Sequence, residues 1–225
     1  MGRVLSLLAD LASQVRGDGG GSALFTVTVV NDGASQSGVT PSKYPFPVSV
    51  MLNDNRIGAA GSRNAGTRGS QSPWIAFLDD DIRLTRSWLK DITREIRSPH
   101  APDMFGSEIG STRRANWFAQ ASEDFIIRNR RYSEGWYLVS AQLFIRRSAF
   151  DVLGGFDAER FAAGSEDWDL CRRAHACHLR VDSLPRVLCL HENPTSWGDF
   201  MRRASAYGHT SGSLKIPAAS RAHSD

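Results

Sequence analysis

Three adjacent aspartates, Asp79, Asp80 and Asp81, close the apolar run WIAFL. A hard divalent cation such as Mg2+ or Mn2+ prefers carboxylate oxygens, and takes one or two from protein when substrate phosphates supply others. Asp79 and Asp81 are two residues apart, so extended backbone would point them to one side. Read alone, the triplet fits a cation site and a solvated turn equally well. A second acidic group, Glu166, Asp167 and Asp169, stands where SEDWDL opens a helix. Acids suit a helix N-terminus on dipole grounds alone. A carboxylate fixed there could also take a proton from an attacking hydroxyl, a role worth about 10²–10⁴ in rate. Asp32 ends a further β-branched run, ALFTVTVVND. If that strand and WIAFL run the same way, four aspartates crowd one sheet edge, and their repulsion requires a cation or hydrogen-bond donors.

The elements that must carry these residues follow from periodicity. Leucines at helical spacing predict an amphipathic helix over 4–15, and small residues at the same spacing predict a helix over 56–72. Strands are expected at 23–33, 48–54 and 73–81. LTRSWLKDITREIRS, 84–98, reads as a helix with Thr85 as N-cap. The stretch 99–137 is mixed polar and aromatic, holding Trp117, Phe118, Phe125, Tyr132, Trp136 and Tyr137. A strand at YLVSAQLFIRR, short helices at SAFDVLG and EDWDLCRRAHAC, a strand at VLCLHE and a helix at SWGDFMRRASAYG complete the chain. A polar tail follows from Gly208. Strands alternating with helices imply an α/β fold, with a mostly parallel twisted sheet and helices on both faces. Ligands in such sheets sit at the carboxyl ends of strands.

The composition narrows the classes. The 225 residues are 41% apolar, enough for a sizeable core, and a net charge of +3 does not argue for nucleic acid. Cys171, Cys177 and Cys189 are odd in number and lack metal-ligand spacing, which fits a reducing, cytoplasmic compartment. No apolar run approaches the ~20 residues of a membrane span. MGRVLS matches the short myristoylation pattern at Gly2 and Ser6, a match common by chance.

Taken in order, VVNDGA, NRIGAAGSRNAG, WIAFLDDDIRLTRSWL, LFIRRSAFDVLGGFDAERFAAGSEDWDLCRR and RVLCLHE resemble the successive motifs of family 2 glycosyltransferases with the GT-A fold. The resemblance covers roughly residues 4–208. It implies one GT-A-like domain over 1–207, with a nucleotide-sugar half at about 1–98 and an acceptor half at 99–207, before the tail 208–225. It implies that Asp32 meets the nucleotide base and that Arg63 borders the nucleotide pocket. Asp79 and Asp80 would lie near ribose and diphosphate, and Asp81 would be the main metal ligand, with Asp79 and His191 nearby. Asp167 would be the catalytic base. Glu166 would contact acceptor or orient the base. The partners implied are a nucleotide-diphosphate sugar donor, Mn2+ or Mg2+, and a saccharide, lipid-linked or other hydroxyl acceptor. A lipid-linked acceptor would bring the protein to the inner face of the membrane. The reaction would be a single displacement with inversion. From the residues, Trp136 is the preferred aromatic contact to acceptor. Trp168 fits core packing or sugar stacking, Asp157 fits a loop-organising role, and His191 fits a structural histidine as well as a ligand.

Family members usually begin with an apolar strand and a Pro-Thr-Tyr-Asn-like turn, which this sequence lacks. The expectation is weak nucleotide binding and low stability, and it leaves a non-catalytic nucleotide-sugar-binding relative as the alternative. A phosphatase with an aspartate nucleophile also opens on a strand ending in Asp-x-Asp, but Arg83 stands where it needs threonine or valine.

Overall fold

The computed structural model describes residues 2–17, 25–33, 38–112, 129–161, 164–192, 197, 198 and 201. Its elements are α1 (Gly2–Gly17), β1 (Val27–Asp32), a single 3-10 turn (Pro41–Lys43), β2 (Val48–Asn53), α2 (Gly58–Thr67), β3 (Trp74–Leu78), β4 (Ile82–Leu84) and α3 (Trp88–Ile96). They continue with β5 (Met104–Ser111), β6 (Arg130–Tyr132), β7 (Gly135–Tyr137), β8 (Gln142–Arg146), α4 (Arg147–Leu153), α5 (Glu166–Ala176) and β9 (Val181–His191).

Five strands form one sheet in the order β3-β8-β5-β9-β4. Within it β3, β5 and β9 run one way, while β8 and β4 run against them. The parallel pair β1–β2 forms a separate ladder, and β6–β7 is a hairpin. Alternation along the strands divides the core into two layers. Phe105 and Phe144 face α1 and α3, packing on Leu8, Leu11, Trp88 and Ile92. Their chain neighbours Met104, Leu143 and Ile145 face α2, α4 and α5, packing on Ala60, Phe150 and Leu170. Helices therefore cover both faces, as period-2 side-chain alternation requires of a sheet buried on both sides. β1 and β2 join by side-chain packing, with Val27, Val29, Val48 and Val50 against the α1 layer. A Cβ at Gly66 would stand 2.9 Å from Val30 Cγ2, so α2 reaches β1 only because this position is glycine.

The sheet also explains how strand ends meet. Only Asp79, Asp80 and Asp81 link β3, at one edge, to β4, at the other. Four extended steps reach about 14 Å, whereas a flat five-stranded sheet is about 19 Å between its edge strands. The sheet must curl at this end. Irregularities between Ser107 and Glu108, and between Glu108 and Ile109, let β9 bend across β5. Pro185 sits in the part of β9 skipped by the ladder. The bend brings His191 opposite Ile82.

Several expected boundaries differ. Ser87, not Thr85, is the N-cap of α3; the Thr85 N–H and C=O are engaged with Leu188, Trp88 and Gln14. The run YLVSAQLFIRR is broken at 138–141 between β7 and β8. β9 starts well before VLCLHE, and β5 lies within 99–137, whose pattern predicts no element. The helix expected at SWGDFMRRASAYG, the tail, and Trp117, Phe118 and Phe125 lie outside the described residues, apart from positions 197, 198 and 201.

Candidate active site

The aspartate turn is held at both sides. The Asp79 N–H donates to the Ala141 carbonyl at 3.1 Å, and the Glu192 N–H donates to the Asp81 carbonyl at 2.8 Å. These two bonds tie the turn to the start of β8 and the end of β9. His191, buried, places Nε2 3.1 Å from Asp81 Oδ1. Arg3 at the start of α1 lies 3.8 Å from Asp81 Oδ2 and 3.2 Å from Glu192 Oε2. Desolvation by the surrounding chain, and then the charge of Asp81, hold the Asp80 carboxyl above its usual range.

Asp32 ends β1 against the start of α2. Its Oδ1 accepts from Asn53 Nδ2 at 3.1 Å and from the Ile57 N–H at 2.9 Å; Oδ2 accepts from the Gly58 N–H at 2.9 Å. A carboxylate from another strand thus satisfies N–H groups that the first turn of a helix leaves unpaired. Burial opposes its charge, but these donors outweigh it and hold the carboxyl below the usual value. Further along α2, Asn64 binds the loop after α4 in both directions: Nδ2 donates to the Phe156 carbonyl at 2.8 Å, and Oδ1 accepts the Phe156 N–H at 2.9 Å. Gly155 has φ +77, and a Cβ there would meet Asn64 Oδ1 at 2.8 Å.

Arg63, one turn along the helix from Ala60, crosses from β3 to α5. Its Nη2 donates to Asp79 Oδ1 at 2.6 Å and its Nη1 to Glu166 Oε1 at 2.5 Å, with the side chain 14% exposed. Burial works against the charge on Arg63, and the two carboxylates overcome it, raising its pKa. Glu166 is buried and adjoins Asp167 at the start of α5, where Ser165 has φ 67. Asp167 Oδ2 accepts the Ser140 N–H at 2.9 Å, and Oδ1 accepts the Trp168 N–H at 2.8 Å. The Ser140 Oγ lies within 3.4 Å of both Glu166 Oε1 and Asp167 Oδ2. Burial, followed by the charge of Glu166, pushes the Asp167 carboxyl up to about 7, against the pull of the Ser140 N–H and Arg63.

The remaining acids divide by role. Asp169 pairs with Arg172 at 2.9 Å and Arg173 at 2.7 Å along its own helix. Asp157 accepts the Arg160 N–H at 3.1 Å, organising its loop. Among the aromatics, Trp168 meets Tyr132 and Tyr137 at ring separations of 5.7 and 5.3 Å. Trp136 sits with its carbonyl 2.8 Å from His175 Nε2, about 12 Å along α5 from Asp167 at 1.5 Å per residue. Three residues at these acids carry little signal in the sequence. Ser140 lies in a run that reads as strand. Asn64 lies inside NRIGAAGSRNAG, where the motif alone implies no role for it. Arg3 carries no pattern beyond a charge at a helix start.

The model of "Glycosyl transferase family 2" matches residues 3–154, more than half of the chain. The chain belongs to this family. A "Pre-mycofactocin glycosyltransferase" of Mycobacterium tuberculosis is 29% identical over 177 residues, covering 75% of this chain and 37% of that protein. An "Uncharacterized glycosyltransferase" of Haemophilus influenzae is 41% identical over 78 residues, covering 35% of this chain and 24% of its own. The chain thus spans little more than a third of the first of these curated relatives, and the match to the second spans about a quarter of it. TarS of S. aureus, residues 1-349, superposes with a TM-score of 0.62 at 16% identity, covering 96% of this chain and 72% of that one. The mannosyltransferase PcManGT from Pyrobaculum calidifontis, solved with GDP-Man and Mn2+, superposes with a TM-score of 0.57 at 14% identity, covering 97% and 76%. The fold of this family 2 member is the GT-A fold.

Among the described residues of this family 2 chain, no His, Cys, Asp and Glu group of three or more could hold a metal ion. One carboxylate and one imidazole, Asp81 and His191, stand together, while Asp79 is taken by Arg63. Two protein donors suit an octahedral ion that completes its shell with water and phosphate oxygens, and do not suit an all-protein cage. No described helix is long and apolar enough to cross a membrane.

Proposed function

We propose that this chain transfers a sugar from a nucleotide-diphosphate donor to an acceptor hydroxyl, with inversion at the anomeric carbon. The observation that carries this reading is the Arg63 bridge. It sets the strand-end acids within one guanidinium of Glu166, the neighbour of Asp167. A donor site and a proton acceptor then lie in one compact site. A nucleotide-sugar donor is supported by the solved neighbours, TarS in complex with UDP-GlcNAc and PcManGT with GDP-Man and Mn2+.

In this reading Asp32 is ionised and keeps acceptor capacity on Oδ2 for an N–H of the base. Asp79 and Asp80 face the ribose and the diphosphate. Asp81 and His191 would hold Mn2+ or Mg2+, which supplies charge stabilisation for the leaving diphosphate. Asp167 takes the proton of the acceptor hydroxyl as that oxygen bonds to the anomeric carbon and the diphosphate oxygen departs from the opposite face. A carboxyl poised at about 7 is well matched to this step near neutral pH. Glu166 orients Asp167 through Ser140 and Arg63. Trp168, next to Asp167 in the chain, lines the acceptor side, with Trp136 a more remote wall. The acceptor is a saccharide, a lipid-linked sugar or another hydroxyl compound. The three free cysteines support a reducing, cytoplasmic compartment.

The rival reading, a nucleotide-sugar-binding relative without transfer, draws on the separation of β1–β2 from the five-stranded sheet. One titration tests the site. Nucleoside diphosphates are titrated with and without Mn2+ into this chain and into Asp81→Ala. Metal-dependent binding that disappears in the variant is expected; binding indifferent to both changes refutes the reading.

A further inference from the structure

We propose that Arg63 is a positioning residue of the transfer reaction, holding the Glu166–Asp167 pair in register with the strand-end aspartates and compensating one of its two charges. This rests on the reading of Asp167 as the base. The geometry is specific. A guanidinium presents donors in a fixed fork, and here one arm goes to each side: Nη2 to β3 at 2.6 Å and Nη1 to α5 at 2.5 Å. Asn64, the next residue, clamps the Phe156 backbone in both directions, so α2 is anchored beside the loop that leads into α5. The Arg63 guanidinium also lies 5.7 Å from the centre of the Phe156 ring.

Two adjacent carboxylates at the start of α5 would repel each other strongly if both were ionised and uncompensated. Glu166 is buried and has Arg63 as its ionic partner. The groups facing Asp167 are Glu166 on its own helix, Arg63 on α2, the Ser140 N–H and hydroxyl before β8, and the Cys171 thiol one turn down α5. Burial pushes that thiol up, so it is neutral. Asp79 acts on the pair through Arg63. Among the described residues facing Asp167, Arg63 is the one cation, and its removal takes away the positive charge set against Glu166. Arg63 touches no reacting atom in this scheme; it acts on Asp167 by its charge and through its ion pair with Glu166.

The test measures the proton affinity of Asp167 in two ways: carboxyl 13C titration by NMR, and the acid limb of the pH profile of kcat. The variants are Arg63→Met, Arg63→Lys, Glu166→Gln and the double variant Arg63→Met with Glu166→Gln. Arg63→Met is expected to move both midpoints upward by more than one pH unit, a tenfold change in proton affinity. Arg63→Lys, which keeps the charge, should stay within a few tenths of the native midpoint. Glu166→Gln should move the midpoint down, and the double variant should return it towards the native value. Equal movement in the Met and Lys variants, or none in Arg63→Met, overturns the proposal. If Arg63→Met does not fold, an unmoved midpoint in Glu166→Gln overturns it equally. Titrations that move as stated, in a protein that transfers no sugar, leave the charge-holding role standing and remove the transfer reading; transfer with unmoved midpoints does the reverse.

Discussion

Asp32 and Asp167 are the same residue in opposite settings. Asp32, at the end of β1, meets N–H donors from Ile57 and Gly58 and the amide of Asn53. Its carboxyl is held below 3.8. Asp167, at the start of α5, also accepts two backbone N–H groups. Yet it is crowded by protein and by Glu166, and its carboxyl rises to about 7. Backbone donors alone therefore do not decide protonation; desolvation and a like charge outweigh them at Asp167. The first aspartate is a permanent anion that fastens a helix. The second can change its proton occupancy near neutrality, which is the property a general base requires.

The sharpest way to break this contrast is Asp167→Asn. Transfer should fall by about 10²–10⁴, the usual worth of a general base, while donor affinity by calorimetry stays near its native value. A loss of donor affinity equal to the loss in rate would move Asp167 to the donor side. A smaller effect concerns pH. Asp167 has a folded pKa above its ordinary 3.8, so its contribution to stability is complete below that value and is lost as pH rises through about 7. Asp32 has a lowered folded pKa, so its contribution is present above 3.8 and is lost as pH falls through the folded value. The native melting temperature should therefore drop between pH 5 and 8 more than that of Asp167→Asn, and parallel curves would contradict the raised carboxyl. Catalysis has the opposite slope over this range, since the base works deprotonated: kcat should climb through about pH 7. The smallest effect is that of Asp32→Ala. Removing the acceptor at the first turn of α2 should cost about 1 kcal/mol in urea unfolding, with the pH profile of kcat unmoved.

Much of this was legible in local patterns. The β-branched runs before Asp32 and Asp79 became β1 and β3, and small residues at helical spacing became α2, with Gly66 lying against Val30. Acids after SAFDVLGGFD opened α5 as expected. What escaped depends on partners far away in the chain. β5 has few alternating cues because it is buried on both faces at Phe105 and Met104, which removes the polar half of a strand pattern. The run YLVSAQLFIRR looks continuous, but Ser140 must turn its N–H to Asp167, 27 residues away. Thr85 looks like an N-cap until its own backbone is taken by Leu188 and by Gln14 of α1.

The order of residues was enough to establish an α/β chain of glycosyl transferase family 2 and to mark its acids, because strand and helix periods and short motifs are local properties. It could not say which acids would be anchors and which could titrate. Packing settled that: the three-residue link and the bend of β9 bring Asp81 to His191, Asp32 anchors the start of α2, and Arg63 joins Asp79 to Glu166, which lies 103 positions of sequence from the arginine. Protonation depends on desolvation and on charges within a few ångströms, and folding alone decides which charges those are.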